Sequence, residues 1–152
     1  MLQQVRGRGE TSGQALLIAR LRRGVALLYI GGAVVHISLA SFHARAYETF
    51  SDGALFHIVD SGWREVFMSD PRAWALLLAL GEACLGAALL LGGRAARWGY
   101  VGVIVFHAAL MSFGWGFWLW SVPALCFLVW LAHRDWPLLG QPTVPEQGDS
   151  RP

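Results

Sequence analysis

The sequence predicts an all-α polytopic membrane protein, a four-helix transmembrane bundle with an amphipathic outer loop between its first and second helices. Three observations carry this. Hydrophobic residues make up 55% of the chain and charged residues 14%, whereas soluble domains carry roughly a quarter charged residues. The apolar residues gather into four blocks, each near the ~20 residues a helix needs to cross a hydrocarbon core ~30 Å thick. Those blocks and their connections take up nearly all of the 152 residues, leaving no length for a separate soluble catalytic domain.

Residues 1–13 are polar and Gly-rich and read as a disordered cytoplasmic N-terminus, with no signature of a cleavable signal peptide. The membrane domain is expected over 14–135. Gln14 to Arg23 can form an amphipathic lead-in that sets Arg20, Arg22 and Arg23 at the membrane surface, and the first block runs from Gly24 to Phe42. This block is long enough to act as an uncleaved anchor. The connection Ala44 to Asp70 alternates Phe56, Trp63 and Phe67 with charged residues, a pattern for short helices lying on the membrane surface.

The second block opens at Asp70 and Pro71, because Ser69 or Asp70 can cap free backbone N–H groups and Pro fits the first helical turn. It ends at Leu91, with Gly92 and Gly93 as breakers and Arg94 to Arg97 as a tight turn into the third block, Trp98 to Phe113. Gly114, Trp115 and Gly116 are expected to turn the chain again into the fourth block, Phe117 to Ala132, where Pro123 marks a kink or a late start. Residues 136–152 hold four prolines and little apolar surface, and read as a disordered cytoplasmic tail.

Orientation follows from arginine, which supplies all twelve basic residues. Arg6, Arg8, Arg20, Arg22 and Arg23 precede the first block, Arg94 and Arg97 join the second and third, and Arg134 follows the fourth. Four crossings put all three places on one side, and short basic segments stay in the cytoplasm. Both termini are therefore expected in the cytoplasm. Trp74, Trp98, Trp115, Trp118, Trp130 and Trp136 fall near block ends, where amphipathic rings favour the interface.

Glu82 is the most informative single residue, since it lies near the middle of the second block. A charged side chain at a helix centre costs roughly 2.5–3.5 kcal/mol to insert, while each Leu returns about 0.3–0.6 kcal/mol. The eight Leu of this block just offset it. Glu82 should accordingly point into the bundle, find a hydrogen-bonding partner or stay protonated because burial disfavours its charged form, and there it either fixes helix rotation or handles protons or a ligand. Ala79, Gly81 and Gly86 suit close helix packing on either reading.

His107 lies near the middle of the third block, at a similar depth in an antiparallel hairpin, so a Glu82–His107 pair is the expected contact. It is either a neutral histidine satisfied by one hydrogen bond or part of a proton relay or quinone-headgroup site. Tyr29, His36 and His43 recur at spacings of seven, with Gly32 and Ala40 on the same stripe, so this face turns toward the other helices and carries His43 to the outer surface. The stripe could instead open a ligand groove with His57 and the acidic loop residues at its mouth. These five residues, Glu82, His107, His36, Tyr29 and His43, are the ligand-binding or proton-handling candidates.

No cofactor is required by any motif. Haem is disfavoured because His36 should sit several Å further out than His107, and no metal-ligand spacing occurs. Cys84 and Cys126 lie inside apolar blocks and form no Cys-x-x-Cys pair. There is no phosphate-binding Gly loop and no nucleophile elbow, and the Arg clusters answer to topology and anionic lipid rather than nucleic acid.

The run Gly81-Glu82-Ala83-Cys84-Leu85-Gly86, continuing through Leu89-Leu90-Leu91-Gly92 to Arg94, resembles the second helix of the DoxX-like family of small bacterial membrane proteins. Gly31, Gly32 and His36 in the first helix and the long outer connection extend the likeness over about Arg22 to His133. The resemblance implies a four-helix inner-membrane protein, in some members linked to thiosulfate:quinone oxidoreductase or to complexes that manage oxidative stress, with Glu82 as the matching intramembrane acid. The first functional reading is a non-catalytic accessory or scaffold subunit of respiratory or redox machinery, with a redox-complex protein or a second copy of the chain as partner in the bilayer. The alternative is an enzyme or carrier for a quinone-like or other hydrophobic ligand, using Glu82 and His107 for protons. A tightly packed core favours the first, and a sizeable cavity lined by Tyr29, His36, Glu82 and His107 favours the second.

Overall fold

A computed structural model describes residues 2–140, with side chains from Gly13 onward. It contains five α-helices: α1 Leu2–Phe42, α2 His57–Glu65, α3 Pro71–Leu91, α4 Gly93–Leu110 and α5 Trp115–Asp135. Four segments are long and apolar enough to cross a membrane: Gly13–Phe42, Pro71–Leu91, Gly93–Phe113 and Trp115–Asp135. The expected all-α bundle is therefore the fold, and no strand occurs among the described residues.

The elements depart from expectation at their ends. Helix α1 begins at Leu2, so the backbone is helical where a disordered stretch over 1–13 is expected; no Pro interrupts that stretch. The expected tail over 136–152 is described only to Gly140, as a single 3₁₀ turn at Leu138–Gly140, and its remainder lies outside the described residues. Arg94 to Arg97 are not a turn but the first turn of α4. Gly92 and Gly93, at φ 75° and 54°, make the reversal alone because a residue without Cβ enters the left-handed region at little steric cost. Gly114 does the same before α5, so Trp115 and Gly116 are helical. Pro123 lies inside α5. Asp70 Oδ1 accepts a 3.1 Å hydrogen bond from the Ala73 N–H at the head of α3, as the sequence indicates.

Helices α1 and α3 pack along much of their length. A Cβ on Gly86 would come within 2.8 Å of the Ala26 carbonyl oxygen and of the Ile30 side chain, so this glycine sets the close crossing. Ala79 is buried beside it, whereas Gly81 is exposed with no neighbour and takes no part in the expected packing face. Contacts between α1 and α5 are sparse. Large apolar residues such as Leu28, Leu91 and Trp98 face outward, each more than 70% exposed, an inside-out surface of the kind that lipid covers favourably. Cys84 and Cys126 are free thiols on that outer surface.

The basic end of the bundle is tied by buried polar contacts. Arg22 Nη1 lies 2.8 Å from Asp135 Oδ2, and the Tyr100 hydroxyl donates to the same oxygen at 3.0 Å. Arg97 donates to the Trp136 carbonyl and stacks over the Trp136 ring. The Gly13–Phe42 span thus starts at the same end of the bundle at which α5 finishes.

Residues 43–70 fold over the opposite end as an aromatic cap. Trp63 and Phe67 stack at 3.8 Å between centroids, Tyr47 and Phe50 pack against them, and Phe113 meets the Trp63 ring edge-on. Trp63 Nε1 donates to the Tyr47 carbonyl at 2.8 Å. Outside this cluster, Asp60 accepts from Ser51 and Arg64, and Arg64 reaches Asp52 as well. These hydrogen bonds, Arg64 first and then Ser51, hold the Asp60 carboxyl below its ordinary range. A carboxylate depressed in this way stabilises the fold above its unfolded pKa of about 3.9, and the contribution fades as pH falls through the lower folded value. Hydrogen exchange of the cap backbone should therefore speed up below about pH 4 relative to the α3–α4 core, and Asp60→Asn should remove that difference.

Candidate functional site

Between α1, α3, α4 and α5 lies a cavity of about 720 Å³, within the roughly 300–1,000 Å³ typical of small-molecule sites. Its lining is almost wholly apolar, and its His and Glu side chains come from α1, α3 and α4. Tyr29, Gly32 and His36 come from α1, Glu82 from α3 and His107 from α4. Facing them are Leu119, Trp120, Pro123 and Ala124 of α5, and the cap closes the outer end with Tyr47, Phe50 and Trp63. Leu28 on α1 and Leu119 on α5 line the cavity while each remains 73% exposed. The mouth therefore opens sideways between α1 and α5, where those helices touch least.

The polar groups are arranged as two pairs, and neither is the expected one. Glu82 is buried, and its Oε2 lies 3.7 Å from His36 Nε2. His107 is instead joined through Nδ1 to the Tyr29 hydroxyl at 2.9 Å and to the Val103 carbonyl at 3.1 Å. The expected Glu82–His107 pair is thus replaced by Glu82–His36 and Tyr29–His107. The hairpin puts Glu82 and His107 at comparable depth, but the tight α1–α3 packing turns Glu82 onto α1. Gly32 makes this approach feasible, since a Cβ there would fall 2.6 Å from Glu82 Oε2.

His36 has a second partner that the sequence does not announce. Its Nδ1 is hydrogen-bonded to the Tyr47 hydroxyl at 2.5 Å, and the two rings stack. Tyr47 reaches the bundle from a 3₁₀ turn, Ala44–Tyr47, that follows directly on α1, so no helical spacing connects it to His36. Its phenol is pushed up from the ordinary tyrosine range, by burial first and by the neighbouring Glu82 charge second. The only sequence signal is that Tyr47 is a large aromatic just beyond the end of the Tyr29–His36 stripe.

His43 is exposed before that turn and lines no part of the cavity, consistent with the outer-surface position expected of it. His57 is exposed as well, and neither it nor an acidic loop residue lies at the cavity. Aromatic cap residues take that place. Trp120, whose ring lies 6.3 Å from that of His107 in near-parallel orientation, and Pro123, read from the sequence only as a kink or late start, are further lining residues.

Among the described residues no three His, Cys, Asp or Glu side chains converge as a metal site. Within the cavity Glu82 Oε2 is a buried acceptor without a hydrogen-bond partner, and leaving such a group unpaired is costly. No protein-family model, curated protein or solved structure matches the chain.

Proposed function

We propose that this protein binds a quinone-like or other hydrophobic ligand, drawn laterally from the bilayer into the space between α1 and α5. The observation that carries the reading is the cavity itself, apolar over most of its wall, with Tyr29, His36, Tyr47, Glu82 and His107 among the polar residues that line it. A tightly packed core favours a scaffold subunit, whereas a cavity of about 720 Å³ favours a ligand binder. An apolar site with a few convergent polar groups is the pattern of small-molecule recognition. Glu82 with His36, and His107 with Tyr29, supply hydrogen bonds and a place to hold or pass a proton, as intramembrane ionisable groups do when they serve function. Any protein partner in respiratory or redox machinery would then exchange this ligand with the chain.

The setting belongs to the same proposal. The concentration of Arg at the end where the bundle's first span starts and its last finishes supports both termini in the cytoplasm, and the likeness to small bacterial membrane proteins supports an inner membrane. The likeness of Gly81 to Arg94 to DoxX-like proteins supports a redox context.

Trp63 and Trp120 line the cavity and make it self-reporting. Titrating the protein in nanodiscs with a decyl-substituted benzoquinone is expected to quench tryptophan fluorescence saturably at one ligand per chain. Ala124→Trp, which fills the cavity from α5, should weaken that binding by about tenfold or more, the equivalent of ~1.4 kcal/mol. Linear, non-saturating quenching that is the same in both proteins would mean the ligand merely partitions into lipid.

A further inference from the structure

The polar wall leaves one acceptor unmatched, and the groups around it define what a ligand must bring. Glu82 Oε2 has no hydrogen-bond partner, and His36 Nε2 faces it from 3.7 Å, beyond direct hydrogen-bond reach. The other ring nitrogen of His36 is held by the Tyr47 hydroxyl. Tyr47 is 1% exposed and kept in its neutral form, so its O–H donates to Nδ1. A neutral imidazole that accepts at Nδ1 carries its own proton on Nε2. An N–H donor and a carboxyl acceptor therefore face one another across a gap that neither closes alone.

We infer that, given the ligand-binding reading above, the cavity selects the hydroquinone form of a quinone-like lipid over the oxidised form, through a ligand hydroxyl set between His36 and Glu82. A hydroxyl there accepts from His36 Nε2–H and donates to Glu82 Oε2, so both groups are satisfied. With the Glu82 carboxyl ionised, a quinone carbonyl accepts from His36 but donates nothing, which leaves Glu82 Oε2 buried and unpaired. The absent side chain at Gly32 lets the Glu82 carboxyl group sit against α1 and face His36, since a Cβ there would run into it.

The rest of the site fits an aromatic ring rather than an aliphatic alcohol. Tyr29 precedes Gly32 by three residues, a rise of about 4.5 Å along α1, so the Tyr29–His107 pair stands roughly a ring's width from the Glu82 position. Phe106 and Trp120 flank His107, and aromatic faces of this kind stack on planar rings. The apolar surface leading out past Leu28 and Leu119 suits the attached chain.

The test compares three probes on the native protein in nanodiscs without oxygen: decyl-substituted benzohydroquinone, the corresponding quinone, and a short polyprenol. The hydroquinone is expected to bind about tenfold tighter than the quinone, which raises the midpoint potential of the bound two-electron couple by ~30 mV. It should also bind about tenfold tighter than the polyprenol, whose hydroxyl suits His36 and Glu82 equally but which brings no ring to stack on Phe106 and Trp120. Glu82→Leu should bring the hydroquinone-to-quinone ratio to about one, whereas His36→Phe, which removes a donor common to both forms, should weaken both and leave the preference in place; the native comparison stands even if either variant fails to fold. Equal affinity for the two redox forms overturns this inference while leaving ligand binding in place. A polyprenol that binds as tightly as the hydroquinone overturns the aromatic assignment, and failure of all three to bind overturns the ligand-binding reading itself.

Discussion

Asp135→Ala is expected to destabilise the folded protein by about 3–5 kcal/mol, the usual cost of removing one partner from a buried ion pair. Asp135 is 1% exposed, and its carboxylate is shared by the Arg22 guanidinium and the Tyr100 hydroxyl. Removing it strands a cation whose side chain is only 13% exposed and whose Nε already lacks a partner. The effect is large because desolvation of Arg22 remains after its compensation has gone. Combining Arg22→Met with Asp135→Leu should restore much of the loss, since neither charge then needs solvation. Thermal or SDS-induced unfolding in detergent, followed by circular dichroism, reads both variants. A single-variant loss below about 1 kcal/mol, the range of exposed pairs, would mean that water reaches the pair.

Gly114→Ala is the second large effect, expected at about 2–6 kcal/mol. Part is backbone strain, about 1–3 kcal/mol for a non-Gly residue held in a sparsely populated conformation, because Gly114 has φ 110°. The rest is overlap, typically about 1–3 kcal/mol: a Cβ there would run into the carbonyl oxygen of Gly53, and backbone cannot move aside as a flexible side chain can. The damage should spread to the cap, which is pinned at the same place by the Leu55 N–H donating to the Ser112 carbonyl at 2.9 Å. Gly114→Ala should therefore loosen the roof over the cavity and change the emission of Trp63. Gly116→Ala, where an added Cβ meets nothing within 4 Å, should be neutral or slightly stabilising, because Ala is the better helix former by about 1 kcal/mol.

The four spans were legible because hydropathy and breakers act locally. Asp70 with Pro71, and the glycines at 92, 93 and 114, mark helix ends through requirements each residue carries in itself. The inward orientation of Glu82 was legible for a similar reason, since lipid penalises any other choice. Its partner was not. Chain order makes α3 and α4 neighbours and so suggests His107, but rotation about the α3 axis decides contact, and the Gly86 crossing against Ala26 and Ile30 turns Glu82 toward Gly32 and His36.

Tyr47 and Asp135 were missed for a different reason. Each lies just past an apolar block, where sequence patterns end, and each acquires its role only when distant segments meet. Tyr47 closes on His36 as the chain leaves α1, and Asp135 meets Arg22 across 113 residues of sequence. The cavity was foreseen only as a criterion for choosing between a scaffold and a ligand binder, because a void is a property of packing and leaves no mark in composition.

Native mass spectrometry of the protein released directly from its own membrane tests the central claim most directly. The account predicts one lipophilic molecule bound per chain in the native protein and absent from Ala124→Trp, with both proteins equally folded. A native protein that carries no such molecule, or one whose bound lipid is retained unchanged when the cavity is filled, would contradict it.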